Sequence, residues 1–215
     1  MTDSPLHIGM ALFPGFQALD VFGPLDCLNT LSRTHNLTLS LISSTLEPVT
    51  TRPSIYPNAI GQSIMPTHTY SAAPRLDVLI VPGGFGTRGS SPIVEEVVSF
   101  IREVYPSLKY LITICTGAGL AARAGVLDGK RATTNKMAFN EMKSLGTDVM
   151  WVSHARWVVD GSIWTSAGVS AGIDVTLAWV GDVFGEDKAK KIAGYMEYDW
   201  HRDASWDPFA ELCGL

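Results

Sequence analysis

Residues 110–127 read YLITICTGAGLAARAGVL, an apolar run that changes to small residues immediately after Cys115. The apolar and β-branched residues before Cys115 predict a buried strand, and the small residues after it predict a sharp turn into a helix. A nucleophile between a strand and a helix is typical of a nucleophile elbow, whose tight turn requires small neighbours. Residues 116–119, Thr-Gly-Ala-Gly, meet that requirement. The stretch therefore predicts a thiol at the end of a strand.

Buried strands alternate with helices along the rest of the chain. Apolar runs predict strands at 7–13, 37–44, 76–84 and 109–115, and amphipathic spacing predicts helices at 18–33, 91–107 and 170–185. We expect Gly23-Pro24 to break the first helix, 47–74 to form a hairpin or an edge segment, and 150–168 to form a hairpin. The alternation predicts an α/β fold with a parallel sheet covered on both faces, and ligands bind such sheets beyond the carboxyl ends of the strands. With no linker or repeat, 1–215 is predicted to be a single domain.

Composition narrows the class of protein. The chain has 215 residues, of which 46% are hydrophobic and 17% charged, and its net charge is −5. The chain has no long Lys/Arg cluster of the kind that would indicate a nucleic-acid partner, so we expect none. Three widely spaced cysteines do not fit a disulfide framework or a zinc site, and we expect no metal. With no signal-peptide pattern at the N-terminus and no apolar stretch long enough for a membrane span, we expect a soluble, cytoplasmic protein without a membrane partner.

The predicted elbow gives Cys115 two possible roles. The amino end of the following helix would face the thiol, and its dipole and free N–H groups would favour the reactive thiolate. The alternative is a buried, inert cysteine, which is common. A partner histidine is poorly supported, because none of the five histidines is predicted at the carboxyl end of a strand.

Asp20 is the better candidate for a partner acid. It follows the first predicted strand among apolar neighbours, where a carboxylate is costly unless it is paired. A raised pKa would let it share a proton with Cys115, whereas the alternative is a helix-start aspartate that interacts with the dipole. In VPGGFG (81–86), the backbone N–H groups of Gly84 and Phe85 would form an oxyanion-type hole, unless the motif is only a tight turn.

The motifs together resemble a known family. The segments carrying the resemblance are ALFPGFQALDVFGPLDCL (11–28), DVLIVPGGFGT (77–87), ITICTGAGLAARAGVLDGKRATT (112–134) and SAGVSAGIDVTLAWV (166–180). In order and spacing they are similar to the ThiJ/PfpI superfamily, which is class I glutamine amidotransferase-like. Within it, the LD…GP start and the CTG elbow look most like the isonitrile (isocyanide) hydratase branch. The amidase domains of AraC-type regulators share these features, but we expect this protein not to carry the DNA-binding domain of those regulators.

The resemblance implies a flavodoxin-like three-layer α/β/α sandwich and a homodimer. It implies that Cys115 is the nucleophile, that Asp20 is the acid beside it, and that Thr116 is the family threonine of the catalytic site. Gly84 and Phe85 would supply backbone donors to the substrate. Val169 would be an apolar residue of the substrate pocket. The reaction it implies needs no cofactor.

Two positions depart from parts of the family. Peptidase-like members have a histidine directly after the cysteine, where this chain has Thr116. Many members read Thr-Thr-His after the elbow helix, where this chain has Thr133-Thr134-Asn135. Asn135 cannot act as a base, although we place it in the substrate-binding set. The aromatic and acidic segment 196–209 is expected to shape the pocket or the dimer surface.

The resulting hypothesis is hydration of a small-molecule isocyanide to an N-formamide through a covalent thioimidate. A thiol hydrolase acting on a small carbonyl, such as a glyoxalase-like enzyme, is a second hypothesis, and the two departures from histidine count against it. A redox sensor in which Cys115 is oxidised without turnover is a third hypothesis, since the same reactive thiol serves either role.

Overall fold

The computed structural model describes residues 6–215 and shows an α/β architecture built on a mostly parallel sheet. Helices of 10 to 14 residues alternate with short strands, with two shorter helices near the middle of the chain and one near its end. The strands are β1 Leu6–Ala11, β2 Leu37–Ser43, β3 Val49–Thr50, β4 Ser63–Ile64, β5 His68–Thr69, β6 Val78–Val81, β7 Tyr110–Thr113, β8 Arg131–Ala132, β9 Met150–Trp151, β10 Trp157–Asp160 and β11 Ile163–Ser166. The helices are α1 Ala18–Leu31, α2 Pro92–Val104, α3 Gly117–Arg123, α4 Phe139–Leu145, α5 Ala171–Phe184, α6 Glu186–Tyr195 and α7 Phe209–Leu212.

The seven-stranded sheet has the order β10-β11-β7-β6-β1-β2-β5, and its pairs are parallel except β10 with β11. Helices α1, α5 and α6 pack together, as do α2, α3 and α4, so the sheet lies between two helical layers. All four residues of β6 are buried, as expected for a strand covered on both faces. The predicted flavodoxin-like three-layer fold and the 150–168 hairpin are confirmed. Within 47–74, β3 pairs with β4 and β5 joins the sheet edge.

The first helix corrects the prediction of a break at Gly23-Pro24. Helix α1 is continuous, and Pro24 lies inside it. Proline removes one i→i−4 hydrogen bond, which usually costs about 3 kcal/mol, but α1 is buried at Gly23, Pro24 and Leu25 and is held by tertiary packing. Gly23 lets the two helices pack this closely, because a Cβ at this position would lie 2.7 Å from Ile173 Cγ1 of α5. Close packing of α1 on α5 therefore keeps the helix intact across the proline.

Four neighbouring strands deliver their carboxyl ends to one edge of the sheet. The Gln17 N–H, after β1, donates to the Gly83 carbonyl after β6 at 2.8 Å. The Cys115 N–H, after β7, donates to the Ala167 carbonyl after β11 at 3.2 Å. These bonds join the loops in two pairs, and the Gly84 N–H, which donates to Thr116 Oγ1 at 2.9 Å, links one pair to the other.

A buried ion pair fixes the last part of the chain against this edge. Arg156 Nη2 lies 2.7 Å from Asp174 Oδ2, and both side chains are almost fully buried. Asp174 Oδ1 accepts hydrogen bonds from the Tyr198 hydroxyl at 3.0 Å and the His201 N–H at 3.1 Å, and the Arg156 N–H donates to the Ala204 carbonyl at 2.7 Å. Asp174 is therefore part of the scaffold that holds the C-terminal segment.

Replacing Arg156 by methionine should lower the free energy of unfolding by about 3–5 kcal/mol, because it leaves the buried Asp174 carboxylate without its cation. Urea unfolding followed by circular dichroism measures the change. The matched control is Lys109→Met, which breaks the more exposed Lys109–Asp77 pair (3.0 Å) and should cost only about 0–1 kcal/mol. Equal losses in the two variants would contradict the structural role given to Arg156.

Candidate active site

Cys115 occupies a strained position between β7 and α3. Its φ angle is 56°, in the left-handed region that non-glycine residues rarely adopt. Both backbone groups are held, since the N–H donates to Ala167 and the carbonyl accepts from the Thr134 hydroxyl at 2.7 Å. The strand, turn and helix expected of an elbow are therefore present, and the surrounding hydrogen bonds maintain the strain.

Two glycines make the turn possible. A Cβ at Gly83 would lie 2.5 Å from the Thr116 nitrogen and 2.8 Å from Cys115 Cβ. A Cβ at Gly117 would lie 2.3 Å from the Val81 carbonyl oxygen. Both distances are shorter than van der Waals contact, so only glycine allows the loop after β6 to approach the elbow this closely.

Three donors surround the Cys115 sulfur. The backbone N–H groups of Val169 and Thr116 and the Asn135 side-chain amide each lower the thiol pKa by favouring the thiolate. Val169, with φ of 42°, is a second strained non-glycine residue. The Asn135 amide closely approaches Gly168, where a Cβ would stand 2.4 Å from Nδ2. Val169 and Asn135, which the sequence predicts for the substrate pocket, thus also donate hydrogen bonds to the Cys115 sulfur.

Asp20 is fully buried beside the thiol, as its sequence context predicts. Its Oδ2 accepts a hydrogen bond from the Gly83 N–H at 2.8 Å. Its Oδ1 has no partner with full hydrogen-bond geometry among the described residues. Burial raises the Asp20 pKa to about 7, although the Gly83 N–H and the Cys115 thiol oppose that shift. We therefore interpret the thiol as a close neighbour of Asp20 whose hydrogen bond is not fully formed.

The thiol itself is shifted toward the neutral form. Burial, and then the negative charge of Asp20, raise the Cys115 pKa to about 12 despite the three donors. The Thr116 N–H at the amino end of α3 favours the thiolate, as we expected, but burial and the Asp20 charge outweigh it. Ionising both groups at once is disfavoured, and an Asp20 pKa of about 7 leaves the carboxyl partly protonated beside a neutral thiol near neutral pH.

The Thr116 hydroxyl is directed away from the thiol and toward the backbone of Gly84. Its Oγ1 accepts from the Gly84 N–H at 2.9 Å and lies 3.2 Å from the Gly84 carbonyl and 3.0 Å from the Thr87 hydroxyl. The prediction that the Gly84 N–H serves as a substrate donor therefore needs correction, because Thr116 already occupies it. The proposed catalytic role of Thr116 stays a prediction.

A cavity of about 220 Å³ opens above Cys115 and brings together all the predicted site residues except Asp20, which is fully buried and does not line it. Phe85 contributes its exposed ring to the wall, and the Arg88 guanidinium lies 4.5 Å above that ring. The lining residues that the sequence did not single out are Gln17, Arg88, Met137 and Ala138. Their only signal was adjacency in sequence to Asp20, Phe85 and Asn135.

The described residues contain no group of three or more His, Cys, Asp or Glu side chains arranged to hold a metal ion. Within 6–215, no helix is both long and apolar enough to cross a bilayer.

Comparison with known proteins gives a consistent family. Residues 7–181 match the profile of the DJ-1/PfpI family. The isonitrile hydratase of Pseudomonas putida is 35% identical over 195 residues, which are 90% of this chain and 78% of that protein. A ThiJ/PfpI family protein from Pseudomonas syringae has a similar structure, with a TM-score of 0.77, 28% identity, and coverage of 92% of this chain and 77% of the other.

Regulatory proteins also share this domain. The HTH-type transcriptional regulator GbdR of Pseudomonas aeruginosa is 29% identical over 139 residues, which are 65% of this chain but 37% of the regulator. Similarity to this domain alone therefore does not separate an enzyme from a regulator, and the chemistry of the site has to do so.

Replacing Asp20 by asparagine should accelerate alkylation of Cys115 by iodoacetamide at pH 8. Removing the negative charge lowers the thiol pKa, and each unit gives about ten times more thiolate. Mass spectrometry of the Cys115 peptide measures the rate, with Asp26→Asn, an exposed carboxylate on the same helix, as the control. Slower alkylation than in the wild type would show that the Asp20 proton instead stabilises the thiolate.

The same substitution should change how stability depends on pH. The folded-state pKa of Asp20 is raised, so the wild-type protein is most stable below pH 4 with respect to this group and loses that contribution as pH rises to about 7. Asparagine stays neutral. The free energy of unfolding of Asp20→Asn minus that of the wild type should increase between pH 4 and 7, on the order of a few kcal/mol. A difference that is flat with pH would contradict a raised Asp20 pKa.

Proposed function

Because the chain belongs to the DJ-1/PfpI family, we propose that it is a cysteine-dependent hydratase that converts an isocyanide to an N-formamide. The observation that carries the proposal is the buried pairing of Cys115 with Asp20, whose Oδ1 has no full hydrogen bond within the described chain. Such a pair supplies a nucleophile and an acid–base group without a histidine. The isonitrile hydratase of Pseudomonas putida, similar over most of both chains, supports the same reaction class.

In the first half of the proposed reaction, Asp20 takes the thiol proton and the Cys115 sulfur bonds to the terminal carbon of the isocyanide. The electron pair on that carbon then accepts the proton back from Asp20, which gives a thioimidate, R–N=CH–S–Cys115. No proton is lost or gained overall. A pKa of about 7 suits this exchange, because the carboxyl both accepts and releases a proton near neutral pH.

In the second half, water adds to the thioimidate carbon. Asp20, again a carboxylate, accepts a proton from the water and passes it to the nitrogen, which gives the tetrahedral adduct R–NH–CH(OH)–S–Cys115. The carbon–sulfur bond then breaks, the hydroxyl proton of the adduct returns to the sulfur through Asp20, and the N-formamide leaves. Val169 and Thr116 N–H groups and the Asn135 amide stabilise the departing thiolate, because all three already favour the charged sulfur.

Two features weigh against the other hypotheses. Peroxide sensing depends on an accessible thiolate, whereas Cys115 is 5% exposed and its pKa is raised. A small-carbonyl hydrolase would need a base at the position of Asn135, whose amide cannot accept a proton at neutral pH. The homodimer and the cytoplasmic location stay predictions from the resemblance and the composition.

Activity should depend on both members of the pair. Cys115→Ala should abolish formamide production from benzyl isocyanide, and Asp20→Asn should lower kcat by about 10²–10⁴-fold, the usual contribution of acid–base catalysis. Chromatography of N-benzylformamide measures turnover. Cys27→Ala and Asp26→Asn are matched controls, and a parallel assay with methylglyoxal tests the small-carbonyl hypothesis. Full hydratase activity in Cys115→Ala would refute the mechanism.

A further inference from the structure

A second cavity adjoins the one above Cys115. Its volume is about 370 Å³, and it shares Asn135, Met137 and Val169 with the first cavity. Its far wall comes from the end of the chain, where α7 contributes Phe209 and Leu212. We name it the apolar chamber after those two side chains. The chamber therefore extends the candidate active site toward the C-terminal segment, here residues 203–213.

The C-terminal segment is held in place by a buried ion pair close to the active site. Asp207 Oδ2 lies 3.1 Å from Lys136 Nζ, with the two side chains 1% and 3% exposed. The Asp207 carboxylate also accepts the Ala155 N–H at 3.2 Å and the Phe209 N–H at 3.0 Å. Lys136 directly follows Asn135, which contacts the Cys115 sulfur. The wall of the chamber and the thiol are thus supported by neighbouring residues.

The charges that border the chamber are already neutralised. Lys136 Nζ is occupied by Asp207 and by the Thr133 hydroxyl at 2.7 Å. The Arg156 guanidinium binds Asp174 Oδ2 through Nε at 2.8 Å and through Nη2. Neither cation is left to pair with a ligand, so an anionic group would find no counter-ion on these two side chains. The chamber therefore suits an uncharged group.

Size gives the second argument. Small-molecule sites usually occupy roughly 300–1,000 Å³, and the cavity above Cys115, at about 220 Å³, is below that range. That cavity holds the isocyano group and a small substituent, whereas a larger substituent requires the adjoining space. The chamber shares three lining residues with that cavity, whereas a cavity of about 430 Å³ lined by Pro53, Ile55 and Pro57 shares only Phe85 with it.

We propose that the apolar chamber binds an uncharged, apolar substituent of the substrate while the isocyano carbon lies against Cys115, and that Phe209 and Leu212 determine which substituents fit. This inference rests on the proposed hydratase function for its substrate and deepens it by naming the substrate class. The C-terminal segment then sets specificity and takes no part in the bond-making steps.

The test compares three isocyanides that differ only in the substituent. Wild-type protein should show a higher kcat/KM for benzyl isocyanide than for methyl isocyanide, and the lowest value for the isocyanoacetate anion. Leu212→Trp, which fills the chamber, should lower kcat/KM for the benzyl compound by roughly 10-fold or more and leave the methyl compound unchanged. Phe209→Ala, which enlarges the chamber, should instead favour substituents larger than benzyl.

Ile60→Trp is the matched control, since Ile60 is an exposed apolar residue that lines neither cavity. It should leave all three values unchanged. If Leu212→Trp alters the methyl and benzyl values equally, or alters neither, the chamber does not bind the substituent. A Leu212→Trp change in sedimentation mass would overturn the proposal too, because it would assign this surface to a subunit interface.

A binding measurement separates this inference from the proposed function. Calorimetric titration with N-benzylformamide and N-methylformamide needs no turnover. Wild type should bind the benzyl compound more tightly, and Leu212→Trp should remove that preference. If the wild type hydrates no isocyanide yet shows this pattern, the hydratase proposal fails and the chamber assignment stands. If both formamides bind equally in both proteins, the chamber assignment fails whatever the activity.

Discussion

The left-handed backbone of Cys115 is the constraint on which the site depends. A residue in extended conformation would continue β7, whereas φ of 56° turns the side chain out of the sheet at the strand end. The turn places the sulfur beside Asp20 only because Gly83 and Gly117 leave no Cβ in the way. The hydrogen bonds from Cys115 to Ala167 and from Thr134 to Cys115 hold the strained geometry in place. The position of the reactive sulfur therefore depends on the left-handed backbone conformation of Cys115.

The burial of Asp20 beside Cys115 also changes the pKa values of both groups. Burial raises the pKa of both Asp20 and Cys115. The Asp20 charge disfavours ionisation of the thiol, whereas the neutral thiol lowers the Asp20 pKa by favouring the carboxylate. A histidine at the site would carry the proton between them and bring a positive charge. Asn135 brings a donor but no charge, so the proton has to move directly between carboxyl and sulfur. This suits a reaction whose first step returns the thiol proton to the substrate carbon, and it gives little support to a permanently ionised thiolate.

The sequence predicted the layered fold, the elbow and the approach of Asp20, because each follows from a local pattern or from the shared direction of parallel strands. It was wrong about the break at Pro24, since packing on α5 overrides local helix propensity. It did not reveal that Thr116 occupies the Gly84 N–H, because that hydrogen bond joins residues 32 positions apart. Arg88 and Met137 were missed for the same reason, as their place in the cavity depends on tertiary structure.

The C-terminal segment shows the same limit most clearly. The aromatic and acidic composition of residues 196–209 predicts that they shape the pocket or the dimer surface, but composition cannot pair Asp207 with Lys136 or Asp174 with Arg156. These two buried ion pairs gain little net stability from burial, because desolvation offsets their attraction. What they provide is position, since a misplaced segment would leave a charge buried without its partner. The ion pairs therefore fix the wall beside the thiol in one place, which lets that wall discriminate between substituents.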